Sequence, residues 1–171
     1  MKCVRTIINV LCVVFSIITL LSVSFALEGL QLVKAGFTAT PEKEAFQKKE
    51  LSEGDEFPLD ALQGKRVFFW TEIQCDQGCQ ARLRPENILA THRWVRMYGT
   101  RVATVQTKEF SLQEFLDKGN ILQSEQEISS PGAWFLEVRT PDGNKLCISR
   151  PKSASENKEQ PDICKFDLRI R

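Results

Sequence analysis

Histidine is nearly absent from this sequence, with His92 alone among 171 residues. It lies within a predicted strand on an apolar face, where a core histidine is expected, whereas a general acid or base needs an accessible cleft. The chain also lacks a nucleophile elbow, a phosphate-binding glycine loop and the usual spacing of metal ligands. These absences favour a protein that is not an enzyme and that uses no cofactor or metal.

A strong charge of either sign is also missing. The chain has 23 basic and 22 acidic residues, so its formal net charge is +1. Without Lys2 and Arg5, 21 basic residues face 22 acidic ones, which gives −1. So weak a field does not recruit nucleic acid or anionic lipid. No internal repeat is present, and the length predicts one domain over residues 27–171.

Only one long hydrophobic run occurs, at residues 7–25, directly after the basic Lys2 and Arg5. Ser24 and Ala26 supply the small residues that signal peptidase reads, yet the run is also long enough to span a bilayer. Residues 1–26 are therefore either a cleaved signal peptide or an uncleaved anchor with its basic end inside. In both cases we expect export, either into the periplasm or onto the periplasmic side of the inner membrane. Membrane contact is expected only through residues 7–26, if they are retained.

Cysteine is sparse, with four residues outside the leader: Cys75, Cys79, Cys147 and Cys164. In an exported domain they most simply form two disulfides, with three possible connectivities. We favour Cys75–Cys79 and Cys147–Cys164, because the second pair would close the polar stretch 150–162 between two strands. That closure is worth about 3 kcal/mol in the chain-entropy model. A zinc site is the alternative, but the spacing is unusual and no histidine lies nearby.

Two tryptophan-bearing segments, residues 88–107 and 130–148, have the pattern of β-hairpins. In the first, Tyr98 and Gly99 fit a two-residue loop, since Gly99 allows a positive φ. This register predicts the cross-strand neighbours Met97 with Thr100, Val95 with Val102, Trp94 with Ala103, and His92 with Val105. It also predicts one mostly apolar face, which consists of Ile88, Ala90, His92, Trp94, Ala103 and Val105.

The second hairpin has the clearer turn, because residues 140–143 (TPDG) fit a type I turn that ends in a left-handed glycine. Thr140 then pairs with Asn144. The register places Val138 opposite Leu146 and Leu136 opposite Ile148. The predicted apolar face consists of Trp134, Leu136, Val138, Leu146 and Ile148.

Further strands are predicted near residues 32–40, 66–73 and 163–171, whereas residues 120–128 fit either a polar strand or a loop. Segment 66–73 has apolar residues on both faces, which indicates a central strand covered twice. Its Glu72 fits the solvent-exposed end of that strand. A capping box from Ser111 to Glu114 predicts a helix over residues 112–118 that buries Leu112, Phe115 and Leu116. Residues 42–49 fit either a short helix after Pro41 or a solvated loop.

Seven or eight short strands separated by turns predict an all-β fold, an antiparallel β-sandwich. We expect it to be immunoglobulin-like in general shape, with short helical connections.

Several short motifs share the order and spacing of one family. Residues 32–39 (LVKAGFTA), 67–72 (VFFWTE) and 91–94 (THRW) are followed by Gly99, Pro131-Gly132, Trp134, Asp142-Gly143 and residues 166–168 (FDL). Over about residues 32–170 the chain resembles the bacterial domain-of-unknown-function family numbered 2914. The resemblance implies a mostly β domain of cell-envelope proteins with no established activity. Residues 111–126 and 150–164 depart from the family pattern as insertions, and the cysteines are particular to this chain.

Binding is the function class that these observations favour. The first hypothesis is a non-catalytic interaction module of the bacterial envelope, which presents a sheet face or edge to a protein or cell-wall partner. A carbohydrate-binding sandwich is the second, with Tyr98 and Trp70 as candidate ligand contacts and Tyr98 expected at an exposed turn tip. It requires an exposed aromatic platform. An envelope hydrolase or redox protein is the third, and it requires a carboxylate pair or a reactive thiol.

Overall fold

Strands dominate residues 29–49, 54–149 and 161–171, which this computed structural model describes. The strands are β1 (Leu30–Thr38), β2 (Asp55–Phe57), β3 (Arg66–Cys75), β4 (Ile88–Tyr98), β5 (Arg101–Ser111), β6 (Ile121–Glu127), β7 (Gly132–Arg139), β8 (Lys145–Leu146) and β9 (Phe166–Ile170). The helices are α1 (Lys43–Gln47), α2 (Gln77–Ala81) and α3 (Leu112–Asp117). The predicted leader lies outside the described residues. Within them, no helix has the length and apolar character that a bilayer span requires.

Two sheets enclose the core. The smaller has the order β1-β3-β6, and the larger has the order β2-β9-β7-β4-β5, with β8 paired to β7. In immunoglobulin domains of the variable type, one sheet contains strands G, F, C and C′, and the other contains A, B and E. The orders β9-β7-β4-β5 and β1-β3-β6 match these two sheets. The predicted all-β sandwich of general immunoglobulin-like shape is confirmed.

One strand pair departs from the predicted antiparallel arrangement. β2 runs parallel to β9, with Asp55 beside Leu168 and Phe57 beside Ile170. The backbone of Arg171 extends this pairing through bonds to Phe57 and Leu59 of 3.0 and 2.9 Å. Only three residues long and set in a polar stretch, β2 has no alternating pattern from which it could be predicted. The larger sheet is therefore mixed.

Trp94 of β4 lies at the centre of the core and is fully buried. Its ring meets Phe37 of β1 and Phe69 of β3 at centroid distances of 5.8 and 6.3 Å, in edge-on geometry. Leu136 of β7 is its cross-strand neighbour. In antibody domains a tryptophan on the corresponding strand packs against an inter-sheet disulfide. Here Phe69 and Leu136 pack beside the indole, so apolar contact joins the sheets at this position.

β3 is covered on both faces, as predicted. Phe68 and Trp70 form a second apolar cluster with Phe46 of α1 and Ile121. The Phe46 and Trp70 rings stack with centroids 5.9 Å apart. Because Phe46 is buried there, residues 43–47 form a helix rather than a solvated loop. Lys34 donates to the carbonyl oxygens of Phe46 and Gln47 and stabilises the helix C-terminus.

The predicted loop of the first hairpin is wrong by one position, so the predicted strand pairing is wrong by two positions next to the turn and by three beyond the bulge. Gly99 and Thr100 form the loop, so Tyr98 pairs with Arg101 and Met97 with Val102. An irregularity between Trp94 and Val95 then leaves Val105 as an extra residue of β5. Trp94 consequently pairs with Gln106 and His92 with Lys108, while Ala103 and Val105 are exposed rather than buried.

The second hairpin follows its prediction closely. The Thr140 amide donates to Asn144 at 2.9 Å, Gly143 has a φ of 87°, and Val138 pairs with Leu146. The predicted pairing of Leu136 with Ile148 is wrong. β8 ends at Leu146, and Ile148 instead bridges Ile163.

Both predicted disulfides are formed, Cys75–Cys79 and Cys147–Cys164. The second lies beside the bridge between Ile148 and Ile163, where the chain leaves β8 and approaches β9. Two disulfides are typical of a protein from an oxidising, exported environment.

The capping box at α3 is partly realised. The Ser111 hydroxyl accepts a hydrogen bond from the Glu114 amide at 3.2 Å, as predicted, whereas the Glu114 carboxylate binds Lys118. Leu112 and Phe115 are buried, but Leu116 is exposed, contrary to the prediction. A helix of six residues presents only a narrow face to the core, and that face is already filled by the other two side chains.

Candidate interaction surface

β5 forms the outer edge of the larger sheet. Among the described strands it pairs with β4 alone. All residues from Arg101 to Glu109 are exposed on both sheet faces. The smaller sheet is too narrow to cover β5, because it has three strands where the larger sheet has five in its main order. The strand therefore overhangs the sandwich, with its unpaired backbone groups facing outward.

Exposed apolar side chains concentrate at this hairpin. Val102, Tyr98 and Val105 have exposed fractions of 62, 52 and 44%. Among the described residues, the other exposed large apolar side chains are Leu116 and Val33, at 47 and 37%. The predicted exposure of Tyr98 is confirmed. Val102 pairs with Met97 and therefore lies on the face opposite Tyr98, so the exposed apolar side chains are divided between the two faces of this edge.

The irregularity in β5 shapes this edge. Val95 pairs with Thr104 and Trp94 with Gln106, so Val105 has no paired residue in β4. A bulge of this kind bends the strand and interrupts its row of outward backbone groups. It makes the edge less receptive to indiscriminate pairing than a flat strand would be.

Positive charge collects on the same hairpin. Residues 88–111 carry four cations and one acidic residue, which gives 4 − 1 = +3. These residues are Arg93, Arg96, Arg101, Lys108 and Glu109. The other 147 residues carry 19 basic and 21 acidic side chains, or −2. The nearly neutral chain is therefore polarised, with its excess of cations at the β4–β5 hairpin.

The sheet pairing assigns these charges to faces. Arg101 pairs with Tyr98 and Lys108 with His92, and directly paired residues share a face. Tyr98 and His92 lie an even number of residues apart on β4, so both cations are on the face that continues from the core. Glu109 pairs with Thr91 and lies on the opposite face.

Arg96 anchors the free end of the hairpin. Its guanidinium carbon lies 4.9 Å from the Tyr98 ring centroid and 5.2 Å from that of Trp134. It also donates to the Ser130 hydroxyl at 2.6 Å and to the Pro131 carbonyl at 3.4 Å. These cation–π contacts and hydrogen bonds join the hairpin to β7 and the loop before it. The end of β4 that leads into the turn is thus held against β7.

On the outer face, Glu137 links β7 to the hairpin. Arg93, Arg139 and Lys145 lie 3.3, 2.7 and 2.7 Å from its carboxylate. Burial acts to raise the pKa of Glu137, but hydrogen bonds from Lys145 and Arg139 outweigh it and hold the pKa below its usual value. Arg93 also donates to the Thr104 hydroxyl at 2.8 Å. This ion-pair network supports the centre of β5.

The aromatic platform required for carbohydrate binding is not formed by the tryptophans. Trp70, Trp94 and Trp134 are only 5, 0 and 3% exposed. Trp70, a candidate ligand contact from the sequence, instead stacks on Phe46 and donates to the Thr38 hydroxyl at 2.8 Å. α1 covers that face of β3, so Trp70 is buried rather than presented to a ligand. Only Tyr98 of the two candidate contacts reaches solvent.

His92 is a core residue, as expected. Its two ring nitrogens lie 2.9 Å from the Thr71 and Ser124 hydroxyls. The indole N–H of Trp94 donates to the same Ser124 oxygen at 2.9 Å. Complete burial lowers the pKa of His92 to about 3, so the ring is neutral. The network joins the two sheets through polar groups that solvent does not reach.

Four cysteines and two carboxylates take part in bonds that stabilise local structure. Cys75–Cys79 and Cys147–Cys164 are disulfides. A hydrogen bond from Arg171 lowers the pKa of Glu56, and one from Thr140 lowers that of Asp142. These carboxylates therefore stabilise local structure through ordinary hydrogen bonds and ion pairs.

Sequence reasoning missed β5 as the exposed edge. Its segment 104–109 (TVQTKE) is polar and charged, and edge strands often carry such residues. That signal was present, but the apolar residues Ala103 and Val105 suggested a buried face.

Comparison with known proteins adds little to this description. No known family matches the chain, and no curated protein matches it. Among solved structures, the chain is similar to murine CRIg at 14% identity and a TM-score of 0.32, over 70% of this chain and 93% of that one. The resemblance to the family numbered 2914 stays a prediction.

Proposed function

We propose that this chain is a non-catalytic interaction module that binds a protein partner along β5. The supporting observation is the exposure of Arg101 to Glu109 on both faces of an edge strand that pairs only with β4 among the described strands. An extended segment can add to such an edge through main-chain hydrogen bonds, while its side chains read the neighbouring residues. Val102 and Val105 offer apolar contacts to that added strand.

Contacts of Arg96 and Arg93 hold the β4–β5 hairpin in place, and this favours a binding role for β5 over a frayed edge strand. Arg96 fixes the hairpin end against Trp134, and Arg93 connects Thr104 to Glu137. An edge held in its bound shape loses less conformational entropy when a partner binds, so more of the interaction energy appears as affinity.

The proposed location is the bacterial cell envelope, with the domain on the periplasmic side. The two disulfides support an oxidising compartment, and the hydrophobic run at residues 7–25 supports export. The partner is then another envelope protein. The chain itself would supply contact and specificity, and no chemical step.

Two proline variants test the edge. Successive backbone N–H groups of a strand point to opposite sides, so one of Gln106→Pro and Thr107→Pro removes a bond to β4 and the other removes an outward donor. We expect the outward variant to keep the wild-type melting temperature and to lose its partner in affinity capture from envelope extract. The inward variant should melt at a lower temperature. This difference identifies which of the two backbone N–H groups points outward.

A control variant changes an exposed residue away from β5. Lys48, which directly follows α1, is replaced by Glu, and this variant should capture the same partner as wild type. Failure of the wild-type protein to return any reproducible partner would contradict the proposal. So would a partner that the outward proline variant still captures in full.

A further inference from the structure

We infer that the segment added to β5 is acidic and extended, an inference that rests on the proposed function. Arg101 and Lys108 share one face of β5, and the single acidic residue of the hairpin, Glu109, lies on the other. A strand paired to β5 would place its own side chains directly beside these two cations. Acidic side chains at those positions form cross-strand ion pairs, whereas basic ones repel.

Two carboxylates of neighbouring elements, within the described residues, are paired with other cations. In α3, which follows β5, Glu114 binds Lys118 at 2.6 Å. In β6, Glu125 binds Arg66 at 3.1 Å. The Lys108 ammonium lies 5.7 Å from the Phe110 ring centroid, a contact that leaves its positive charge available to an acidic ligand.

The same charge argues against a second copy as the occupant. Two hairpins joined through β5 would bring together two regions of net charge +3. Like charges that face each other across an interface repel, so this arrangement disfavours self-association and contributes to specificity. The bulge at Val105 further discourages two identical edges from forming a long ladder.

The bulge also sets a spacing for the partner. Arg101 and Lys108 are paired with Tyr98 and His92, which lie 98 − 92 = 6 positions apart because Val105 is an extra residue. A partner strand that follows the same path as β4 would carry two acidic residues six positions apart. An even spacing puts both on one face, whereas a spacing of five would put them on opposite faces.

Synthetic peptides can test this directly. The probe is a Thr- and Val-rich peptide with two Glu residues six positions apart. Its controls have the same composition with the Glu residues five apart, or Lys at both positions. Binding is measured by calorimetry against the protein with both disulfides formed, and the site is located by amide shifts in the NMR spectrum. We expect the six-spaced acidic peptide to bind at least about tenfold more tightly than either control and to shift the amides of β5.

Charge reversal on the protein supplies the second arm. Arg101→Glu and Lys108→Glu should each weaken binding of the acidic peptide about tenfold, and the double variant should bind the Lys peptide instead. The Lys48→Glu control should bind as wild type. Equal binding of all peptides, unchanged affinity of the reversed variants, or a stable dimer that the outward proline variant abolishes would overturn the inference. If the outward proline variant loses its partner but charge reversal has no effect, the ligand is not an acidic segment. The proposed function, binding along β5, would then still be supported.

Discussion

His92 shows how a single buried residue couples this fold to pH. Its imidazole lies between Thr71 and Ser124, and burial lowers its pKa to about 3 from an ordinary value of 6.5. Its place in the core was predictable from its position on an apolar face. Its two hydroxyl partners were not, because they come from β3 and β6, which are distant from β4 in sequence.

The first prediction concerns stability against pH. Between pH 6.5 and 3 the unfolded chain binds a proton at His92 that the folded chain does not, so the free energy of unfolding falls as pH falls through that window. The slope is about 1.4 kcal/mol per pH unit, and the contribution is fully present above pH 6.5. Urea unfolding between pH 5 and 6.5, where most carboxylates stay ionised, measures it. The His92→Gln variant should lose this slope, and equal slopes in the two proteins would contradict the assignment.

The second prediction concerns the central indole. Replacing Trp94 by Ala leaves a large cavity and removes the indole N–H that donates to Ser124, so we expect a loss of about 3–5 kcal/mol in the free energy of unfolding. Tyr98→Ala, on the same strand but exposed, should cost less than about 1 kcal/mol. Denaturant titration of the two variants checks the difference. A Trp94→Ala protein with unchanged stability would show that the ring is not part of the core.

At the level of elements, the two hairpins explain why one register was predictable and the other was not. The sequence Thr140-Pro141-Asp142-Gly143 fits one turn type, because proline and glycine each restrict their position. Gly99 allows a positive φ at either position of a two-residue loop, so Tyr98-Gly99 and Gly99-Thr100 both fit. The bulge at Val105 depends on packing beyond the hairpin and leaves no mark in the alternation of residues.

The third prediction belongs to α3, a helix that turn chemistry did predict. Ser111→Ala removes the hydroxyl that accepts from the Glu114 amide and should lower the free energy of unfolding by about 1 kcal/mol. Ser111→Asp keeps an acceptor at the cap and should stay near wild type. Thermal unfolding of the two variants separates the loss of the capping hydrogen bond from general effects of substitution at this position. Equal melting temperatures for both variants would show that the cap does not stabilise α3.

For the whole molecule, the two-sheet architecture was predictable because alternating apolar residues define which faces are buried. Which strand ends at an open edge was not predictable, since strand order depends on contacts between distant segments. β2 shows the same limit, because its three residues pair with β9, which is distant from them in sequence. The candidate surface is therefore a property of the assembled sheets, and Tyr98 was its only member identified from sequence.

The last prediction concerns the connection that joins β8 to β9. Cys147–Cys164 closes a loop with a sequence separation of 17, so its loss should cost about 3 kcal/mol by the chain-entropy model. The double variant Cys147→Ser with Cys164→Ser should melt at a lower temperature than wild type. Reduction should lower the melting temperature of wild type more than that of the variant, because the variant has only Cys75–Cys79 to lose. Because this disulfide lies away from β5, the variant should still bind partners along that edge while folded. An unchanged melting temperature would show that the bond does not constrain the unfolded chain, and lost binding in a folded variant would show that the edge depends on this distant loop.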